Sequence, residues 1–223
     1  MKISHAPHAL VMTLVLALVS TAACKKKETA TDAGANLKVV TDYEKKAVAN
    51  IEEKLQFIQG LRGKLAPPTT KDGVVLDKDW ANYAWVHDTD LADLAATPKG
   101  SRLKDSDKLR ACAKEARTPD FGKHTLDRLQ NCESLRYVFV ARTLNRVEPK
   151  VVSKAAGMEN AKFEGCTAEG DVLVYDLNAK KHLGGFRWKA TCDKSVFGEA
   201  LTKNFEDNIL EAIEAGHRKF ITH

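Results

Sequence analysis

From Leu37 to about Arg62, apolar residues recur at three- and four-residue intervals, including Val40, Val48, Ile51, Leu55 and Ile58. That spacing predicts an amphipathic helix, which Gly60, Gly63 and Pro67-Pro68 bring to an end. Ser106–Arg117 and Thr125–Glu133 read as two short helices on the same grounds. The period then shortens to two. Leu135–Leu144 reads as a strand, with Tyr137, Phe139 and Ala141 on one face and Arg136, Val138, Val140 and Arg142 on the other. Residues 170–177 and 182–191 are β-rich runs joined by Asn178-Ala-Lys-Lys181, a hairpin signal. Phe197, Leu201, Phe205, Ile209 and Ile213 restore the helical period from Ser195 to about His217. The predicted fold class is α+β: an N-terminal amphipathic helix and short helices, a small antiparallel sheet of three or more strands, and a C-terminal helix packed on that sheet.

A three-residue hairpin loop, Asn178–Lys180, fixes a register. It sets Cys166 opposite Cys192, Val172 opposite Phe186, Val174 opposite Gly184 and Asp171 opposite Arg187. Directly opposed residues lie about 4.5–5.5 Å apart at Cα, within the reach of a disulfide. A bulge near Gly165 or Gly170 would shift this pairing by one. With Cys166 and Cys192 joined, Cys112 and Cys132 are left to bridge the two short helices. In this register Leu173, Tyr175, Leu177 and Leu183 share the second face, so both faces are partly apolar and both require cover. Gly184-Gly185 marks a bend or a close backbone approach.

Composition places the chain among ordinary globular proteins. It has 223 residues, 43% hydrophobic and 29% charged, with 35 Lys+Arg against 30 Asp+Glu. The net charge of +5 is spread along the chain with no nucleic-acid motif, so no nucleic-acid partner is expected. One segment stands apart. Met1–Pro7 carries Lys2 and no acid, and Ala9–Val19 is continuously apolar but too short to span a bilayer. Small residues Ser20–Ala23 follow, the pattern of a secretory signal peptide over residues 1–23.

Thr21-Ala22-Ala23-Cys24 resembles the lipobox of bacterial lipoproteins, with Thr21 where Leu is usual. The resemblance covers the first 24 residues and implies that the Cys24 thiol receives a diacylglyceryl group and becomes the new N-terminus. It implies a protein tied to the membrane through its lipid and facing the periplasm. In enteric bacteria the absence of Asp after the lipidated Cys, here Lys25, directs such proteins to the outer rather than the inner membrane. Residues 24–36, with Lys25-Lys26-Lys27 and no large apolar side chain, read as a flexible tether, and 37–223 as a single domain. Export also places Cys112, Cys132, Cys166 and Cys192 where disulfides persist, and their spacing lacks the CxxC of a redox site.

Candidate chemistry concentrates between Asp79 and Leu94. Trp80, Tyr83 and Trp85 are of a kind to stack a sugar or peptide, and His87, Asp88, Asp90 and Asp93 of a kind to gather round a metal. The same residues also suit a structural role: aromatic burial, and Asp88 or Thr89 capping a helix that starts at Asp90. The structural role is the one expected. Arg142 and Arg146 are expected as neighbours on a basic strip continuing toward Lys150, which would suit an anionic envelope polymer, although scattered arginines on a half-exposed sheet are the commoner arrangement. No closely spaced Cys or His pair opens a zinc site, so no metal or cofactor is expected. GxSxG, HExxH and a helix-start SxxK are all missing, so no catalytic residues are assigned. The function expected is a non-catalytic, membrane-anchored envelope lipoprotein that binds an envelope protein, an anionic polymer or a small ligand. The alternative is a periplasmic hydrolase acting on envelope material.

Overall fold

A computed structural model describes residues 30–68, 74–75, 82–96, 103, 106–117, 125–153, 162–193 and 200–222. Cys24, Trp80 and Phe197 lie outside the described residues. In chain order the elements are helix α1 (Ala30–Gly60), strand β1 (Val74–Val75), strand β2 (Tyr83–His87) and a 3-10 turn (Asp88–Asp90). Helices α2 (Ser106–Arg117) and α3 (Thr125–Glu133) follow. Then come β3 (Tyr137–Val147), β4 (Lys150–Ser153), β5 (Lys162–Glu164), β6 (Thr167–Asp176), β7 (Lys181–Thr191), α4 (Ala200–Phe220) and β8 (Ile221–Thr222). Residues from Val39 onward form one compact unit.

The fold is α+β around a four-stranded sheet of order β2-β3-β6-β7. The sheet is mixed rather than antiparallel, because β2 runs parallel to β3. Parallel neighbours need a long crossover, and α2 and α3 supply it. Both faces are covered. On one, Trp85, Tyr137, Phe139, Val172, Val174 and Phe186 pack with Phe205, Ile209 and Ile213 of α4. On the other, Ala84, Val86, Val138, Val140, Leu173 and Tyr175 pack with Ile58 of α1 and with Leu109 and Ala113 of α2. Double cover explains the nearly unbroken apolar runs in β3 and β6, and it bears out the alternation assigned to β3.

A third cluster joins Ala47 and Ile51 of α1 to Cys112 and Ala116 of α2 and to Leu129 and Cys132 of α3. Within it lies the Cys112–Cys132 disulfide, with its Cα atoms 5.4 Å apart. Buried Lys54 fastens α1 to the end of α3, its Nζ donating to the carbonyls of Glu133 at 2.5 Å and Leu135 at 2.8 Å. These carbonyls emerge at a helix C-terminus, where a cation is favoured. Burial lowers the Lys54 pKa, while Glu133 and Asp176 act in the opposite direction. Helix α1 begins well inside what the sequence presents as tether, at Ala30 instead of Leu37. Residues 30–36 lack large apolar side chains and so show no stripe, yet three of the seven are alanine, the strongest helix former.

Cys166 and Cys192 are joined, 5.6 Å apart at Cα, and the expected register holds from Thr167↔Thr191 to Val174↔Gly184. It then slips. Tyr175 pairs with His182, and the loop is the four residues 177–180. Gly184 absorbs the resulting bulge at φ 133°, a backbone state other residues avoid. Leu183 consequently packs with the α4-side cluster rather than beside Leu173 and Tyr175.

His182, next to this bulge, has its Nε2 buried without a hydrogen-bond partner and its ring 5.0 Å from that of Tyr175. Burial lowers its pKa, and a hydrogen bond with the Gly184 backbone partly opposes the shift. The unfolded chain, with a His pKa of about 6.5, therefore binds the proton more readily than the folded protein. Stability should be fully present above pH ~6.5 and decline as the pH falls below it, levelling off beneath the folded-state pKa. Melting temperatures of the wild type and His182→Gln between pH 7.5 and 5.0 check this: the wild type should lose more, and parallel curves would refute the assignment.

Candidate functional site

β2 and α4 meet over a cavity of about 280 Å3. Strand alternation turns Tyr83 and Trp85 toward α4, and helical spacing brings Leu210, Ile213, Glu214 and His217 of α4 to face them. Leu103 and Arg218 complete the lining. Trp85 stacks on Phe139 with centroids 4.8 Å apart, and the His217 ring lies 5.3 Å from Trp85 and 4.9 Å from Phe139. Tyr83 meets Phe139 edge-on at 5.3 Å and His217 at 5.7 Å. These rings hold one another in place and form a rigid wall, while Leu103, Leu210 and Ile213 give an aliphatic surface. The exposed Glu214 carboxylate and Arg218 guanidinium sit 3.6 Å apart, one helical turn from each other. Among the described residues the lining offers apolar contact, ring contact and two opposite charges, the means of holding a ligand.

The cavity takes in two of the aromatic candidates, Tyr83 and Trp85, and omits His87 and Arg142. His87 stands at the far end of β2, with Nδ1 4.0 Å from Asp88. The nearby acids are engaged locally. Asp88 accepts from the Thr89 amide at 2.9 Å, and Asp93 from the Ala95 amide at 3.1 Å and from Arg117 at 2.9 Å. The Ala95 amide and then the Arg117 bond hold the Asp93 pKa below the ordinary range. Among the described residues no three His, Cys, Asp or Glu side chains are grouped to hold a metal. A helix at Asp90 does not form either: the acids build a single 3-10 turn followed by further turns.

The expected basic strip is also overturned. Arg142 donates to both oxygens of Asp171, at 3.0 and 2.7 Å, and to the Leu65 carbonyl at 3.4 Å. Asp171 is fully buried, and this pairing raises the pKa of Arg142. A bulge between Thr143 and Asn145 sends Arg146 through to the α4 side. There it pairs with Glu148 and Glu206 at 2.5 Å each and lies over the Phe205 ring. The bulge sits beside Gly170, where a Cβ would come within 2.0 Å of the Arg142 carbonyl. The two arginines thus occupy opposite faces, each neutralised by acids.

The α4 contribution to the cavity, from Leu210 to Arg218, was absent from the sequence candidates. Ile213 was visible there only as part of an apolar stripe, and nothing local in the sequence brings His217 to Trp85. A second, polar depression of about 380 Å3 involves Asn50, Glu53, Lys54, Glu133, Asn178 and Lys180. Its charges are committed already: Lys180 pairs with Glu53, and Glu133 accepts from the Tyr43 hydroxyl at 2.9 Å. No family model, curated protein or solved structure matches the chain.

Proposed function

We propose that this chain is a lipid-anchored bacterial envelope protein that binds a small ligand in the cavity between β2 and α4, without catalysing a reaction on it. The observation that carries the binding reading is the cavity itself, which combines a rigid aromatic wall, an aliphatic surface and one pair of opposite charges. The anchor is supported by Thr21-Ala22-Ala23-Cys24 behind a short apolar run, and residence in an oxidising compartment by two disulfides that clamp separate parts of the fold. In this reading Cys24 carries the acyl groups and the domain faces the periplasm from the outer membrane. That Arg142 and Arg146 pair with acids on opposite faces supports a small ligand over an anionic polymer.

Purification of the full chain from membranes, followed by solvent extraction and mass spectrometry, tests the proposal. A small molecule should accompany the wild type and be missing from Leu210→Trp, in which the indole fills the cavity. Equal recovery from both would reject the site. For the anchor, Cys24→Ser should shift the protein from the membrane pellet to the soluble periplasm and remove the acyl mass; a variant that still sediments with its mass increment intact is anchored elsewhere.

A further inference from the structure

The size and charges of the β2–α4 cavity narrow what it takes. At about 280 Å3 it lies just below the ~300 Å3 at which pockets for drug-sized molecules begin, so two acyl chains or an oligosaccharide exceed it. Its walls favour a compact aliphatic or ring-shaped body. Trp85 is only 4% exposed, with Phe139 stacked on it and His217 tilted against it, so the ligand meets little of its face and rests chiefly on Leu103, Leu210 and Ile213.

Among the described residues the mouth carries one carboxylate, Glu214, and one guanidinium, Arg218. At 3.6 Å, Glu214 and Arg218 are beyond normal hydrogen-bond length, and both side chains are more than half exposed. A pair of this kind contributes little to stability, so exchanging it for contacts with a ligand is inexpensive. A ligand bearing a single charge would satisfy one of the two groups and set a like charge against the other. A ligand with adjacent positive and negative groups satisfies both.

We infer that the cavity binds an amino-acid-sized zwitterion, with its apolar side chain against Leu210 and Ile213, its ammonium on Glu214 and its carboxylate on Arg218. This rests on the cavity being the binding site. A free apolar amino acid and the end group of a short peptide share this chemistry, and they differ in the distance between their charges.

Titration calorimetry on the full lipidated chain in detergent tests the inference with L-leucine, N-acetyl-L-leucine, L-leucine methyl ester, glycyl-L-leucine and indole. Leucine should bind, and the acetylated and esterified forms should each bind about tenfold more weakly or worse, the usual loss for one charged contact. In Glu214→Gln, leucine and its acetyl form should become equivalent; in Arg218→Gln, leucine and its ester should. Both residues are exposed, so both variants should fold. Glycyl-leucine binding more tightly than leucine would assign the site to peptide ends, and weaker binding to free amino acids; both outcomes support a zwitterion. Indole binding that disappears in Leu210→Trp, with leucine no tighter than its derivatives, would overturn the zwitterion and spare the cavity. If no probe binds, indole included, both fall.

Discussion

Arg142→Ala is expected to lower the free energy of unfolding by about 3–5 kcal/mol, because it strands the Asp171 carboxylate in the interior. Asp171 has a side-chain exposure of 1% and faces Arg142 through two parallel N–H···O bonds, whereas Arg142 is 20% exposed. Removal of the cation leaves the buried acid without its bidentate partner. The converse comparison separates the cost of an orphaned charge from the value of the pair. Replacement of both residues by leucine should recover most of the loss, since a buried ion pair is commonly no better than apolar groups of similar volume. Urea denaturation of the three variants decides the matter. A loss under about 1 kcal/mol for Arg142→Ala would contradict the burial of Asp171 as a charge that depends on Arg142.

Trp85→Ala should have a comparable effect for a different reason. The indole is 4% exposed and belongs to the α4-side core, where it stacks on Phe139. Its truncation leaves a void that rigid neighbours refill only in part, costing about 3–5 kcal/mol. The same ring is a wall of the β2–α4 cavity, so on the proposed binding role uptake of an apolar probe such as indole should fall with stability. Trp85→Phe, which keeps an aromatic ring, should restore most of the stability. A Trp85→Ala protein with unchanged denaturation midpoint and unchanged probe binding would contradict both roles.

These two sites show what the sequence disclosed and what it withheld. Patterns that depend on near neighbours were legible: the bounds of α2 and α3, the two faces of β3, and the hairpin pairing from Cys166 to Val174. Departures came from single inserted residues. The bulge beyond Thr143 reversed Arg146, and the one beyond Val174 reversed Leu183, because a slip of one position exchanges the faces of every residue that follows. Strand β2 went unread, since Tyr83–His87 gains its strand character from a parallel partner more than 50 residues later, across two helices. The cavity was hidden for the same reason: Tyr83 and Trp85 meet residues 210–218 only after the chain has closed on itself.

The disulfide connectivity has a consequence for how the chain matures. Beyond Cys24, the first cysteine pairs with the second and the third with the fourth, at sequence separations of 20 and 26, and neither loop encloses the other. A chain threaded into an oxidising compartment from its N-terminus presents each thiol with its native partner as the next to emerge. Joining cysteines strictly in order of arrival therefore yields the native bonds, and reshuffling through mixed disulfides, the slow part of many oxidative folding reactions, is not required. With export as proposed, oxidative folding of this protein should depend on a thiol oxidase and be largely indifferent to loss of a disulfide isomerase.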